Sequence, residues 1–237
     1  MNTWQGDLLG MAGTARTVDE VFEKISHASQ ALGFEYCAYG LRLPTPISNP
    51  RTIMLSNYPL AWQTRYASQG YLAIDPTVAH GRQSQCPLVW SQDVFAATPD
   101  LWDESQSFGL RFGWAQSSLD AVGVGGMLSL ARSTDLLSAA ELASNEVKMR
   151  WLVNISHLAL SRLFVSEVVK ESQPDLTNRE VEVLKWTADG KSSCEIADLL
   201  SISENTVNFH IKNSVVKLRA TNRTAAVVRA AMLGLLN

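Results

Sequence analysis

No run of 18 or more apolar residues occurs in this 237-residue chain, so no segment reads as a membrane-spanning helix. Low-complexity tracts are also lacking, and 46% hydrophobic with 18% charged residues is the composition of a folded globular protein. The opening residues Met1-Asn2-Thr3-Trp4-Gln5-Gly6-Asp7 carry no basic stretch and no apolar core, which argues against an export signal and for a cytoplasmic protein. Cysteine is scarce: Cys37, Cys86 and Cys194 are odd in number and far apart, so they read as reduced thiols and not as a disulfide set or metal site. His80 and His157 lack metal-ligand spacing, and no serine or cysteine sits in a nucleophile motif, so nothing here supports an enzyme. The length suits two domains of ordinary size.

Acidic residues are missing altogether from Asn205 to Asn237, where Lys212, Lys217, Arg219, Arg223 and Arg229 fall. The whole chain has a formal net charge of −3, so basic residues gather at one end of an otherwise acidic protein. That distribution suits DNA contact at that end. Local caps give the domain its elements. Thr177-Asn178-Arg179-Glu180 is a capping box opening a helix with Val181, Leu184 and Ala188 on one face, stopped by Gly190. Ser192-Ser193-Cys194-Glu195 opens a second, short helix carrying Ile196, Leu199 and Leu200, and Ser203 caps a third from about Glu204 to Leu218. A fourth helix spans about Arg223 to Leu235. Two short helices joined by a tight turn are the helix-turn-helix plan.

In the third helix Val207, Ile211, Val215 and Leu218 form a buried stripe. The candidate DNA-contacting residues are Asn205, Thr206, Asn208, Phe209, Lys212, Asn213 and Lys217. Asn208 and Lys212 are neighbours on one helical face. Asn can pair with adenine through both amide atoms, and Lys suits guanine or a phosphate equally. The plainer alternative is a solvated face of a protein-binding helical domain. The run Leu176-Thr177-Asn178-Arg179-Glu180-Val181-Glu182-Val183-Leu184, with Gly190-Lys191-Ser192, Ile196-Ala197 and Ser203-Glu204-Asn205-Thr206-Val207-Asn208-Phe209-His210, closely resembles the LuxR-type DNA-binding domain. The resemblance implies a four-helix domain over 176–237 that dimerises through its last helix and binds an inverted-repeat operator in double-stranded DNA. Glu180, Leu184 and Gly190 fall on its signature positions, all of them structural.

Upstream, a helical pattern from about Ser138 to Val165 gives way to the polar run Glu171-Ser172-Gln173-Pro174-Asp175, so a linker is placed at 166–175. Before it, helices are expected at Val18–Leu32, Leu60–Gln69 and Leu101–Phe108, and strands at Glu35–Leu41, Thr52–Ser56, Phe112–Ser117 and Gly126–Arg132. The expected fold is α+β: an α-β-α sandwich over 1–165 followed by the all-α domain. A phosphoacceptor receiver is excluded, because Tyr36-Cys37-Ala38-Tyr39-Gly40 supplies no carboxylate.

Between residues 57 and 90 lies a different constellation: Tyr58, Trp62, Tyr66, Tyr71, Asp75-Pro76-Thr77 and Pro87-Leu88-Val89-Trp90. Aromatic rings with polar handles beside one carboxylate suit an amphiphilic small molecule. Read otherwise, Trp62 and Trp90 are core residues and Asp75 caps a helix starting at Pro76. Tyr58, Trp62, Tyr66, Asp75, Pro76, Trp90 and Gly113, with Gly33-Phe34-Glu35-Tyr36 and Leu128-Ser129-Leu130-Ala131-Arg132, resemble the acyl-homoserine-lactone-binding domain of quorum-sensing LuxR-type receptors over roughly Val18–Phe164.

That resemblance implies an N-acyl-homoserine lactone as effector, a homodimer, and neither cofactor nor metal. It implies that Trp62 donates to the lactone carbonyl, Asp75 accepts the amide N–H, and Tyr58 and Ser129 donate to the acyl carbonyl. Trp90, Tyr66 and Trp102 would wall in the ring, and Thr77 would add a polar contact. The acyl tail would run against Ala38, Gly40, Met54, Val78 and Leu110, its apolar lining ending before Arg42. An orphan regulator with a non-lactone input is the alternative.

Overall fold

The computed structural model describes Gly10 and residues 16–43, 50–120, 123–170 and 174–236, and the side chains of all of these but 165–170. Residues 1–7 and the linker positions 171–173 discussed above lie outside the described residues. The chain divides into two compact units, the first ending at Ser166 and the second running from Glu167.

The first unit opens with α1 (Val18–Ala31), whose N-cap Thr17 accepts from the Glu20 amide and whose Val21, Ile25 and Ala28 are buried. Gly33, at φ 87°, adopts the left-handed conformation that lets the chain leave the helix and enter β1 (Tyr36–Arg42). Then come β2 (Thr52–Ser56), α2 (Leu60–Ser68), a 3-10 turn (Tyr71–Ala73), α3 (Pro76–Gln83), β3 (Leu88–Val89), α4 (Pro99–Ser107), β4 (Phe112–Leu119), β5 (Gly125–Arg132) and α5 (Ala139–Lys170). The strands form one antiparallel sheet in the order β2-β1-β5-β4-β3.

Alternation sorts the side chains of this sheet. On one face Cys37, Tyr39, Leu41, Trp114, Leu128 and Leu130 form a core with α1 and with Met149, Leu152, Val153, Ile155, Ala159 and Leu160 of α5. The other face meets α3 and the aromatic cluster that includes Trp62, Leu101 and Trp102. The unit is thus the expected sandwich. Four elements differ from the sequence reading. The 3-10 turn was not read, and α3 entered only as the alternative role of Asp75. The helix read as ending at Val165 continues to Lys170, because residues 166–170 contain neither Gly nor Pro to stop it. The strand β3 was not anticipated, being two residues long and too short to show an alternation.

The second unit contains α6 (Asn178–Ala188), α7 (Ser193–Leu200), α8 (Glu204–Lys217) and α9 (Arg223–Met232). Both capping boxes form: Thr177 with Glu180, and Ser192 with Glu195. Ser203 and Asn222 cap α8 and α9. Gly190, at φ 83°, makes the turn after α6. Val183, Ile196, Ala197, Val207 and Ile211 form one core cluster, and Leu184, Leu218, Ala226 and Ala230 another. Ser214, inside the α8 stripe, is also fully buried; its hydroxyl donates back to the His210 carbonyl, which removes the cost of burying it.

Candidate functional site

Residues directly opposite each other in the ladder share a face, so the register defines rows across the sheet on the face away from α1 and α5. The first row is Tyr36, Ala131 and Gly113. The second is Ser56, Ala38, Ser129, Ala115 and Leu88. Met54, Gly40, Met127 and Ser117 follow, and then Thr52, Arg42, Gly125 and Leu119. The first two rows are dominated by small residues, while the opposite face of the same strands carries Trp114, Leu128 and Leu130. A floor of this kind leaves depth for something to lie on it.

Above the first row stands an aromatic cluster. Trp62, Tyr71, Phe95, Leu101, Leu110 and Ala131 are buried together, with Tyr36, Tyr58, Tyr66, Trp90, Trp102 and Phe108 partly buried around them. Trp62 meets Tyr66, Tyr71 and Phe108 at ring-centroid distances of 5.8, 6.0 and 5.4 Å. Trp102 lies 5.0 Å from Phe95 and Trp90 6.2 Å from Phe95. Trp90 is seated by glycine: a Cβ on Gly113 would fall 2.2 Å from Trp90 Cδ2, and the Trp90 amide donates to the Gly113 carbonyl at 2.8 Å. The helices over the cluster are tied by Arg65 of α2, which donates twice to Glu104 of α4 at 2.8 and 2.6 Å. This pairing holds the Glu104 carboxyl down to about 2.

Asp75 does two jobs. As N-cap of α3 it accepts from the Thr77 amide at 2.8 Å and the Thr77 hydroxyl at 2.6 Å, both on Oδ1. Its Oδ2 accepts from the Tyr66 hydroxyl at 2.8 Å. A carboxylate offers about four acceptor positions, so Oδ2 keeps capacity for one further donor. The cap expected for Asp75 is therefore present, and so is a spare acceptor beside the aromatic cluster. Burial pushes the Tyr58 and Tyr66 hydroxyls well above the usual phenol range, and the Asp75 charge adds to it, so both remain neutral donors. Tyr66 spends its proton on Asp75. Tyr58 Oη and Trp90 Nε1 are buried with no hydrogen-bond partner among the described residues.

The other nominated positions fall as follows. Ala38 and Gly40 lie half-buried on the floor, Ser129 is buried between them and Ala115, and Met54 is 49% exposed at the β2 end of the third row. Thr77 is buried and Val78 half-buried on α3. Leu110 is buried within the aromatic cluster. Sequence reading passed over Met127 and Ala131, although each is two residues from Ser129 and so shares its face. It also passed over Phe95, Leu101 and Phe108, for which no local signal exists.

In the second unit Asn205, Asn208, Phe209 and Lys212 are exposed along α8. Ser193, at the start of α7, donates to Asn208 Oδ1 at 2.8 Å, which fixes the amide and leaves its two N–H bonds for an outside acceptor. Thr206 is half-buried and shares a 2.7 Å hydrogen bond with Ser203 at the cap; Asn213 is half-buried. Lys217 is exposed and is also engaged within the domain. Its ammonium lies 2.8 Å from Oε2 of the buried Glu180, the same carboxylate that closes the Thr177 box. An acid buried this deeply needs a cation, so Lys217 is a structural tie between α8 and α6.

Comparison with known proteins agrees with both halves. An autoinducer binding domain model matches residues 17–160, and the model for bacterial regulatory proteins of the luxR family matches residues 174–230. The transcriptional activator protein AnoR of Acinetobacter nosocomialis is 47% identical over 238 aligned positions, covering all of both chains. The crystal structure of Escherichia coli SdiA superposes with a TM-score of 0.87 at 36% identity, covering 99% of this chain and 98% of that one. SdiA in complex with octanoyl-rac-glycerol gives a TM-score of 0.84 at 37% identity, covering 99% and 95%. The chain therefore belongs to the LuxR family of transcriptional regulators, with an autoinducer-binding domain ahead of a helix-turn-helix DNA-binding domain.

Proposed function

We propose that this regulator is a cytoplasmic quorum-sensing receptor that binds an N-acyl-homoserine lactone over 1–165 and, as a homodimer, an inverted-repeat operator through 176–237. The segment 166–175 joins them, its first five residues continuing α5. The observation that carries the ligand assignment is the buried, unpartnered Tyr58 hydroxyl, which feels the charge of Asp75, together with the spare acceptor position on Asp75 Oδ2. An amide answers this arrangement: its N–H goes to Asp75, and its carbonyl accepts from Tyr58 and Ser129. The lactone ring then sits among Trp62, Tyr66, Trp90 and Trp102. A glycerol hydroxyl can also donate to Asp75, and SdiA has been seen with octanoyl-rac-glycerol. Competition between octanoyl lactone and 1-octanoylglycerol separates the two ligands, and the lactone is expected to win.

Tyr58→Phe tests the assignment through opposite signs. In the free protein the change removes a buried hydroxyl that has no partner, so thermal stability should hold or rise by up to about 1 kcal/mol. Lactone affinity should fall roughly 3- to 10-fold, the worth of one ordinary hydrogen bond, in isothermal titration. Loss of stability with unchanged affinity would remove Tyr58 from the site.

On the DNA side, Asn208 and Lys212 are the proposed readers, with Asn205, Thr206, Phe209, Asn213 and Lys217 flanking them; Lys217 also pairs with Glu180. Two copies related by a two-fold axis place their α8 helices about one DNA turn apart. Asn208→Ala should weaken operator binding by roughly 5- to 100-fold while leaving non-specific binding nearly unchanged, measured by fluorescence anisotropy at fixed salt. An equal loss on operator and random duplex would make Asn208 a phosphate contact.

A further inference from the structure

Glycine in the middle of a strand weakens it, so each such glycine invites a reason. Gly113 gives way to Trp90, and a Cβ on Gly126 would meet His157 at 2.4 Å and Tyr39 at 2.5 Å. Gly40 is unlike both. It lies within β1, an internal strand, between the buried Tyr39 and Leu41, and a Cβ built on it meets nothing within 4 Å. Its φ is not among the positive values that call for glycine. What Gly40 preserves is open depth above the sheet.

The surroundings give that depth a direction. On the β4 and β5 side, α3 presses onto the same row: a Cβ on Gly81 would lie 2.9 Å from Met127 Sδ and 3.5 Å from Ser117 Cβ. A chain starting over Ala38 and Ser129 is thus turned along β1, across Gly40, toward Met54 on β2. Unbranched methionines on both flanks suit an apolar chain of variable shape. One row further on stands the exposed, charged Arg42, where the apolar floor ends.

We propose that Gly40 is the gate for acyl-chain length, the point that a chain must cross to extend beyond its first few carbons. This rests on the lactone reading of the same site. Successive rows are about 6.8 Å apart, two residues along a strand. Extended methylenes advance about 1.25 Å each, given C–C bonds near 1.5 Å. From a carbonyl over Ser129, a butanoyl chain therefore stops about 4 Å along, short of Gly40, whereas an octanoyl chain reaches about 9 Å and crosses it.

The experiment is titration of the full chain and its Gly40→Val and Gly40→Ala variants with N-butanoyl- and N-octanoyl-homoserine lactone, with ligand-free unfolding measured alongside. Val favours strands, so the unfolding midpoint should hold or rise. For Gly40→Val, octanoyl affinity should fall at least tenfold further than butanoyl affinity, with Gly40→Ala between; each blocked methylene is worth about fourfold. Equal losses for the two lactones, or an undiminished octanoyl affinity, would overturn the gate. If the parent chain binds neither lactone, the reading beneath it fails as well.

Discussion

Asp75→Ala should lose lactone affinity by roughly 10- to 150-fold and should also lower the stability of the free protein. Three effects combine. The N-cap of α3 is removed, which costs about 1 kcal/mol. The Tyr66 hydroxyl, now bonded to Oδ2, is left without its acceptor at a further cost of about 1–3 kcal/mol. The ligand's N–H then has no charged acceptor, and hydrogen bonds to charged groups are worth about 1.5–3 kcal/mol. Asp75→Asn separates these contributions. Asn caps as well as Asp through its one oxygen, but the amide nitrogen in place of Oδ2 cannot accept from Tyr66 or from the ligand, so stability should fall less than in Asp75→Ala while affinity falls roughly tenfold. Thermal unfolding and isothermal titration on both variants measure the two columns independently. Full lactone affinity in Asp75→Asn would reduce Asp75 to a cap.

The second large effect is expected from a single methyl group. Gly113→Ala puts a Cβ inside the indole of Trp90, 2.2 Å from Cδ2 and 2.4 Å from Cε3. That gap cannot be closed by a shift of a few tenths of an ångström, because the Trp90 backbone is itself bonded to Gly113. Trp90 must leave, or the β3 edge must detach. Overpacking of this kind costs about 1–3 kcal/mol, and the ring wall of the site goes with it, so lactone binding should fall at least about 30-fold. The cause is checked by a double-mutant cycle. With Trp90→Ala already in place, Gly113→Ala should cost almost nothing further in stability. An equal cost in both backgrounds would show that the two residues do not oppose each other.

These two positions also show what a linear sequence can disclose. The helix-turn-helix was legible because its determinants are local. Thr177 and Glu180, Ser192 and Glu195, and the cap at Ser203 each act within three residues, and the structure contains all of them. Asp75 was legible in both of its readings for the same reason, since its cap partner Thr77 is two residues away. What depended on register was harder. That Ala131 and Gly113 face Tyr36, or that Met127 stands beside Gly40, follows from strand order and alignment, which the alternation of any one strand leaves open. The ion pair of Lys217 was not legible, because its partner Glu180 is 37 residues earlier and looks like a cap alone. The aromatic cluster was half visible: Tyr58, Trp62, Tyr66, Trp90 and Trp102 carry polar handles or signature spacing, whereas Phe95 and Phe108 enter through tertiary packing.

The claim on which the account turns is that the autoinducer-binding domain holds a lactone against Asp75 and the small-residue floor. Isothermal titration of the full chain with N-octanoyl-homoserine lactone, beside the Asp75→Asn variant, addresses it directly. The parent should bind one lactone per chain at micromolar or tighter affinity, and the variant should bind it roughly tenfold more weakly. Absence of binding up to millimolar lactone, or equal affinity in the two proteins, would contradict it.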